Sequence, residues 1–187
     1  MNDSSIAMPE FIVLDASVIL ELRPPIQNPP HPNHVAANSF LNRLRPFAAT
    51  GNSMPILPLL AFEEICFKLC QQVIVSKLKA NNSSMYWHHY YKNNPQIINS
   101  CIPVLEKFHK ILTSFPILIT EPEDISVTPR GTEKGLAERM IDIMTSFNLL
   151  PKDANIISEA ERLGIHNLAS LDKDWERASG FNVFTVV

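Results

Sequence analysis

Glycine is scarce in this chain: five residues among 187, against fifteen prolines. That ratio predicts many stiff connections and few flexible ones. Cysteine is nearly as rare. Three residues, Cys66, Cys70 and Cys101, make an odd count, and no Cys-x-x-Cys pair has a matching His or Cys pair, which argues against a zinc site. Reduced thiols packed as small hydrophobes account for them. No apolar run approaches the roughly 20 residues that span a bilayer. The first ten residues lack Lys and Arg, and the FIVL that follows is too short for a signal-peptide core, so a cytoplasmic protein without membrane contact is expected. A large excess of positive charge is missing too. The formal net charge is −3, so contact with a nucleic-acid backbone would have to come from a local basic patch.

What is present is a folding composition. Apolar residues make up 45% of the chain, enough for the core of a single domain spanning residues 1–187. Residues 11–14, FIVL, read as a buried parallel strand, with further strands at 54–57, 115–120, 167–171 and 182–187. Helices are predicted at 35–44, stopped by Pro46, and at 59–79, 97–113, 132–147 and 153–163, with a helical turn at 174–178. Thr132 is placed as a cap and Gly164 as the residue that ends the 153–163 helix. In the 59–79 helix, Phe62, Cys66, Leu69 and Val73 fall at spacings of four, three and four, one stripe of a 3.6-residue period. Strands alternating with helices predict a parallel sheet covered on both faces, with strand C-termini along one edge where ligands bind.

That edge singles out acidic residues. Asp15 closes the first strand and precedes a second apolar stretch, Val18-Ile19-Leu20. A carboxylate between two buried segments is costly to desolvate unless it is paired or metal-bound. Glu63 and Glu64 lie on different faces of the 59–79 helix. Glu64 shares the wet face with Lys68 and can pair with it four residues on, whereas Glu63 sits beside Cys66, Phe67, Cys70 and Ile74, which makes Glu63 the candidate. Asp153 opens a helix and is either its N-cap or a site residue. Asp172 and Asp174 follow the strand NLASL; one is a candidate ligand and the other a cap, and spacing alone leaves the choice open. Carboxylates brought together repel and raise one another's pKa values, and a divalent cation resolves this. Oxygen-only ligands suit Mg²⁺ or Mn²⁺. Such a site can activate water for in-line attack on a phosphodiester with one metal or two.

Three segments, FIVLDASVIL, ILPLLAFEEICFKL and LLPKDANIISEAERLGIHNLASLDKDWERASGFNVFTVV, together resemble the PIN-domain family, in particular the VapC-like ribonucleases of toxin–antitoxin pairs. The last segment is the most specific, with an Asp-Ala opening a helix, a Gly ending it, a strand, and then S-x-D-x-D-W where the family often has T-x-D-x-D-F. The resemblance covers most of the chain. It implies an α/β protein, a Rossmann-like three-layer α/β/α sandwich around a parallel sheet, and a Mg²⁺- or Mn²⁺-dependent endoribonuclease. By the same resemblance Asp15, Glu63, Asp153 and Asp172 match the acidic positions, with Asp174 as an alternate. Ser17 matches the small polar residue that holds a carboxylate or a water. RNA is the implied substrate, an antitoxin the implied inhibitor and a homodimer the implied assembly.

The departures are informative. Residues 23–34 and roughly 79–100 exceed a compact PIN domain, and Ala16 and Ser170 stand where Thr is more usual. The aromatic stretch Tyr86-Trp87-His88-His89-Tyr90-Tyr91 reads first as an insert packed on the core or on a second subunit, and second as a stacking surface for RNA bases. Arg23, Lys68, Lys152 and Lys173 are the cations near the expected mouth. A PIN-like scaffold that binds RNA or protein without catalysis is the competing reading. A haloacid-dehalogenase-type phosphatase is disfavoured because Ser17 stands where that class needs a second Asp.

Overall fold

In the computed structural model, residues 7–24, 29–120 and 135–185 are described. Five apolar runs form the strands: β1 (Phe11–Leu14), β2 (Met54–Pro58), β3 (Leu118–Thr120), β4 (Asn167–Ser170) and β5 (Asn182–Thr185). Their spatial order is β3-β2-β1-β4-β5 and every neighbouring pair is parallel. A central parallel strand has helices over both faces, so it must be apolar on both. In β1, Ile12, Val13 and Leu14 are all fully buried, as that requires. Helices α1 (Ala16–Leu20), α2 (Pro32–Ala49), α3 (Leu59–Ala80), α4 (Trp87–Asn93), α5 (Ile102–Thr113), α6 (Leu136–Phe147) and α7 (Pro151–Arg162) flank the sheet and complete a Rossmann-like α/β/α sandwich. Short 3₁₀ helices span Pro95–Ser100 and Lys173–Arg177. No described helix is long and apolar enough to cross a membrane.

The chain runs outward from β1 to β2 and β3, then returns to the other side of β1 for β4 and β5. The connection therefore reverses direction between β1 and β4. In open α/β sheets the crevice at such a reversal, beyond the strand C-termini, is where ligands bind. The backbone N–H of Asp15 still donates to the Ala169 carbonyl, at 2.9 Å, so β1 and β4 stay in register up to the mouth of that crevice.

Several elements differ from the sequence expectation for identifiable reasons. Pro46 does not stop α2, which continues to Ala49. Proline deprives the carbonyl four residues back of its partner. Both Pro46 and Asn42 are exposed, so that carbonyl is released on the wet side of the helix. The segment expected as one helix over 97–113 divides in two. Pro103 stands in the first turn of α5, where a missing N–H costs nothing, and the chain before it takes the 3₁₀ form. Ala16–Leu20, expected only as an apolar stretch, is a short helix capped by Asp15. The expected start of α6 at Thr132, with its cap, and the last two residues of the 182–187 strand lie outside the described residues.

Helix α3 carries two apolar faces in succession. Its first half buries Ala61, Ile65 and Leu69 against the main core. Its second half turns Ile74 and Leu78 into a separate cluster with Ile97 and Cys101, flanked by Cys70, Val73, Trp87 and Tyr90. The 79–100 segment thus packs on α3 through its own small core, with Trp87 and Tyr90 turned inward and Tyr86 and Tyr91 exposed.

Candidate active site

Asp15 ends β1 and caps α1, which places a carboxylate at the centre of the crevice. Its side chain is buried. Oδ2 accepts the Ser17 backbone N–H at 3.3 Å, the Ser170 hydroxyl at 2.9 Å and the Ser17 hydroxyl in a short bond. Oδ1 accepts no hydrogen bond from the described residues. The two serines are themselves fixed. Ser17 Oγ accepts the Leu171 N–H, and Ser170 Oγ accepts the Asp172 N–H, both at 3.0 Å. This network ties the end of β1 to the end of β4 across the reversal point. Burial pushes the Asp15 carboxyl above its ordinary range and the charge of Glu64 adds to that, while the serine hydrogen bonds pull it back.

Asp153 lies in the first turn of α7 and is half-buried. Leu150 occupies the N-cap position, so Asp153 is no cap. Pro151 at the first helical position explains the shift, since its fixed φ starts the helix two residues early. Burial raises the Asp153 carboxyl, and the charges of Asp15, Asp172 and Glu64 raise it further. The Trp175 indole favours its charged form. That indole Nε1–H is fully buried and closes no hydrogen bond of ordinary geometry among the described residues.

Of Asp172 and Asp174, Asp172 is the one that caps the Lys173–Arg177 turn, the role the sequence suggests for Asp174. Asp172 Oδ1 accepts the Asp174 N–H at 2.9 Å, and the Asp172 charge reaches Asp153. Asp174 pairs instead with Arg177 at 2.5 Å on an exposed surface.

On α3 the expectation is corrected. Glu63 is exposed, and Glu64 is the residue whose charge reaches both Asp15 and Asp153. The expectation had counted Cys66, Phe67 and Cys70 as the core face. In this half of α3 the buried stripe is Ala61, Ile65 and Leu69, and Phe67 is 52% exposed. Two residues of α-helix amount to about 200° of rotation, so Glu63 points away from the buried side that Ile65 occupies. The pairing of Glu64 with Lys68, at 2.6 Å, is as expected, but a second lysine is present as well. Lys152, from α7, reaches the other oxygen of Glu64 at 2.6 Å. Burial alone would raise the Glu64 carboxyl, and the two ammonium groups reverse this and hold it below its ordinary range.

Sequence reasoning missed Glu64, the Lys152 bridge and the role of Ser170. A polar residue at the last position of a buried strand was the available signal for Ser170. Nothing local marks Lys152, whose partner lies on another helix. Of the other expected cations, Arg23 is committed to Gln72 and the Leu20 carbonyl, at 2.6 and 2.7 Å. The cysteines are free, and Cys101 is buried. Burial next to Cys101 pushes the Cys70 thiol up to about 11, so it stays protonated.

Four acids thus share the crevice electrostatically, with only oxygen donors among them. Among the described residues no three His, Cys, Asp or Glu side chains stand close enough to form a ready-made metal site. The four acids offer only oxygen donors, the kind that hard divalent cations take, but as they stand they are not gathered closely enough to hold one. No protein-family model and no curated protein matches this chain.

Proposed function

We propose that this chain is a Mg²⁺- or Mn²⁺-dependent endoribonuclease of the PIN-domain, VapC-like kind. The observation that carries the reading is the placement of Asp15 at the β1/β4 reversal, tied through Ser170 to the turn that bears Asp172, with Asp153 and Glu64 near enough to interact with it through charge. These residues come from four separate stretches of the chain. Burial and mutual repulsion work against the charge of Asp15 and Asp153, a cost that a bound cation would offset.

On this reading Asp15, Asp153 and Asp172 would hold the cation, and they would have to draw closer together than they stand here to do so. When bound, such an ion supplies Lewis acidity that lowers the pKa of water and offsets charge on phosphoryl oxygens. The chain's own residues do the remaining work. Ser17 and Ser170 fix the Asp15 carboxylate through Oδ2, and burial of the crevice floor limits the access of bulk water. RNA is the substrate on this reading, an antitoxin is the inhibitory partner, a homodimer is the assembly, and the cytoplasm is the compartment.

The test is thermal unfolding with and without Mn²⁺, on wild type and Asp15→Asn, followed by RNA cleavage. A ligand at a hundred times its dissociation constant adds about 2.7 kcal/mol. The reading expects that stabilisation in wild type only, with metal-dependent cleavage lost in the variant. Full cleavage by Asp15→Asn would end it. A second reading, a PIN-like module that binds RNA or protein without catalysis, is favoured by the open arrangement of the acids and by the engagement of both Glu64 oxygens with lysines. Absence of any Mn²⁺ response would move it to first place.

A further inference from the structure

From Ile65 to Leu105 the chain holds four lysines, two histidines and no Asp or Glu, so this stretch carries +4 in a chain whose net charge is −3. Lys68 is engaged by Glu64. Lys77, Lys79 and Lys92 are exposed, and among the described residues none of the three stands within ion-pair distance of a carboxylate. Lys77 donates to Ser100 Oγ at 2.6 Å, which ties the end of α3 to the 79–100 segment and leaves two of its three donors over.

Aromatic rings occupy the same part of the molecule. Phe67 of α3 meets Trp87 edge to face at 5.4 Å, and Trp87 lies 3.7 Å from the His88 ring. Tyr86 meets the rings of His88 and His89 edge-on at 5.6 and 6.2 Å. Trp87 flanks the small core, but Phe67 is 52% exposed, Tyr86 is 62% exposed and both histidines are exposed. Phe67 and Lys77 are ten residues apart, about 15 Å along the helix. The segment touches α3 at both, through Trp87 and through Ser100, so rings and cations lie along one strip.

Planar faces beside uncompensated ammonium groups match a polymer of bases and phosphates. A second copy docked on the same strip would set +4 against +4. A membrane surface calls for an amphipathic helix with a broad apolar face. The seven residues of α4, WHHYYKN, include no aliphatic side chain. We propose that this strip binds single-stranded nucleic acid, with Phe67, Tyr86 and His88 stacking on bases and Lys77, Lys79 and Lys92 taking phosphates. The proposal goes beyond the catalytic reading, since it needs neither metal nor cleavage.

The experiment is fluorescence anisotropy of a short labelled RNA of mixed sequence with the full chain, in EDTA and across a range of salt, with the strand single or annealed to its complement. The single strand should bind more tightly than the duplex, whose stacked bases hide their faces. Tyr86→Ala and Phe67→Ala should each weaken single-strand binding about 5- to 150-fold, the loss of one stacked base, and Tyr86→Phe should keep it. Lys79→Gln/Lys92→Gln should lower the slope of log K against log salt by about 0.7 for each phosphate released. These side chains are exposed, and an unchanged urea midpoint in each variant shows that the fold is intact. Equal affinity for strand and duplex, wild-type affinity in Tyr86→Ala, or an unchanged slope in the lysine variant would each overturn the proposal. A dimer that Tyr86→Ala splits, or pelleting with phosphatidylserine vesicles in place of strand binding, would overturn it in favour of self-association or a membrane surface. Strand binding in EDTA without Mn²⁺-dependent cleavage would support it and end the enzymatic reading. Cleavage with Tyr86→Ala binding as wild type does would leave that reading standing and end this one.

Discussion

Ser170 donates its hydroxyl to Asp15 Oδ2 at 2.9 Å across 155 residues of chain. The same hydroxyl oxygen accepts the Asp172 backbone N–H at 3.0 Å. One buried hydroxyl therefore fixes the acid that ends β1 and the start of the turn that carries Asp172.

Replacing Ser170 with Ala removes both hydrogen bonds without changing the strand. A hydrogen bond to a charged group contributes about 1.5–3 kcal/mol. We expect Ser170→Ala to lose stability in that range at neutral pH, seen in urea as a lower midpoint with an unchanged slope. The loss should shrink in acid, where a protonated Asp15 leaves only a neutral hydrogen bond of roughly 0.5–1.5 kcal/mol. A cost that is the same at both pH values would mean that the hydroxyl acts through packing alone.

The two neighbouring glutamates offer a sharp contrast. Glu63 is exposed and takes part in none of the contacts described at the crevice, so Glu63→Gln should change stability by no more than about 0.5 kcal/mol. It should also leave the Mn²⁺-induced shift in melting temperature intact. If Glu63→Gln alone removed that shift, the assignment of Glu64 to the crevice would be wrong.

Much of the fold is legible because β1 and α7 obey local rules. FIVL is uniformly apolar, as a central parallel strand must be, and Gly164 ends α7 with φ +69°, a conformation that suits glycine. The places of Asp15 and Asp172, just beyond the buried strands β1 and β4, are legible for the same reason. The Glu63 error shows where this stops. Periodicity reveals an apolar stripe but not what lies against it. The stripe drawn through Phe62, Cys66, Leu69 and Val73 averaged two faces that meet different partners, the sheet for the first half of α3 and the 79–100 segment for the second. Lys152 acts through Glu64, far away in sequence and on another helix, and a single sequence holds no signal for that pair.

The second core can be tested by itself. Ile97 sits in the 3₁₀ helix against Ile74, Leu78 and Cys101. Truncating a buried Ile to Ala costs about 2–5 kcal/mol, less where neighbours can close the gap. This small cluster lies apart from the sheet and can collapse, so the lower end is expected for Ile97→Ala. Trp87 flanks the cluster whereas Trp175 is fully buried in the main core. Tryptophan emission should therefore shift to the red through Trp87, with the Mn²⁺ response kept. A lost Mn²⁺ response would show that the insert and the crevice are one cooperative unit.

The pH dependence of stability follows from opposed carboxylates. Asp15 and Asp153 are raised above the ordinary value of 3.8, chiefly by burial. A raised group contributes stability that is fully present below its unfolded pKa and lost as pH rises through its folded pKa. Glu64 runs the other way. It is lowered from 4.5 by its two lysines against the effect of burial, so its contribution is present above the unfolded value and lost as pH falls through the folded one. Asn caps helices about as well as Asp and still accepts the serine hydroxyls. Asp15→Asn should therefore match wild type in acid and become the more stable of the two as pH climbs above the ordinary aspartate range, without metal. Glu64→Gln should do the opposite, losing its disadvantage as pH falls. Urea unfolding from pH 4 to 8 in EDTA measures both. An Asp15→Asn advantage that stays constant with pH would show that burial is not what opposes the charge of Asp15.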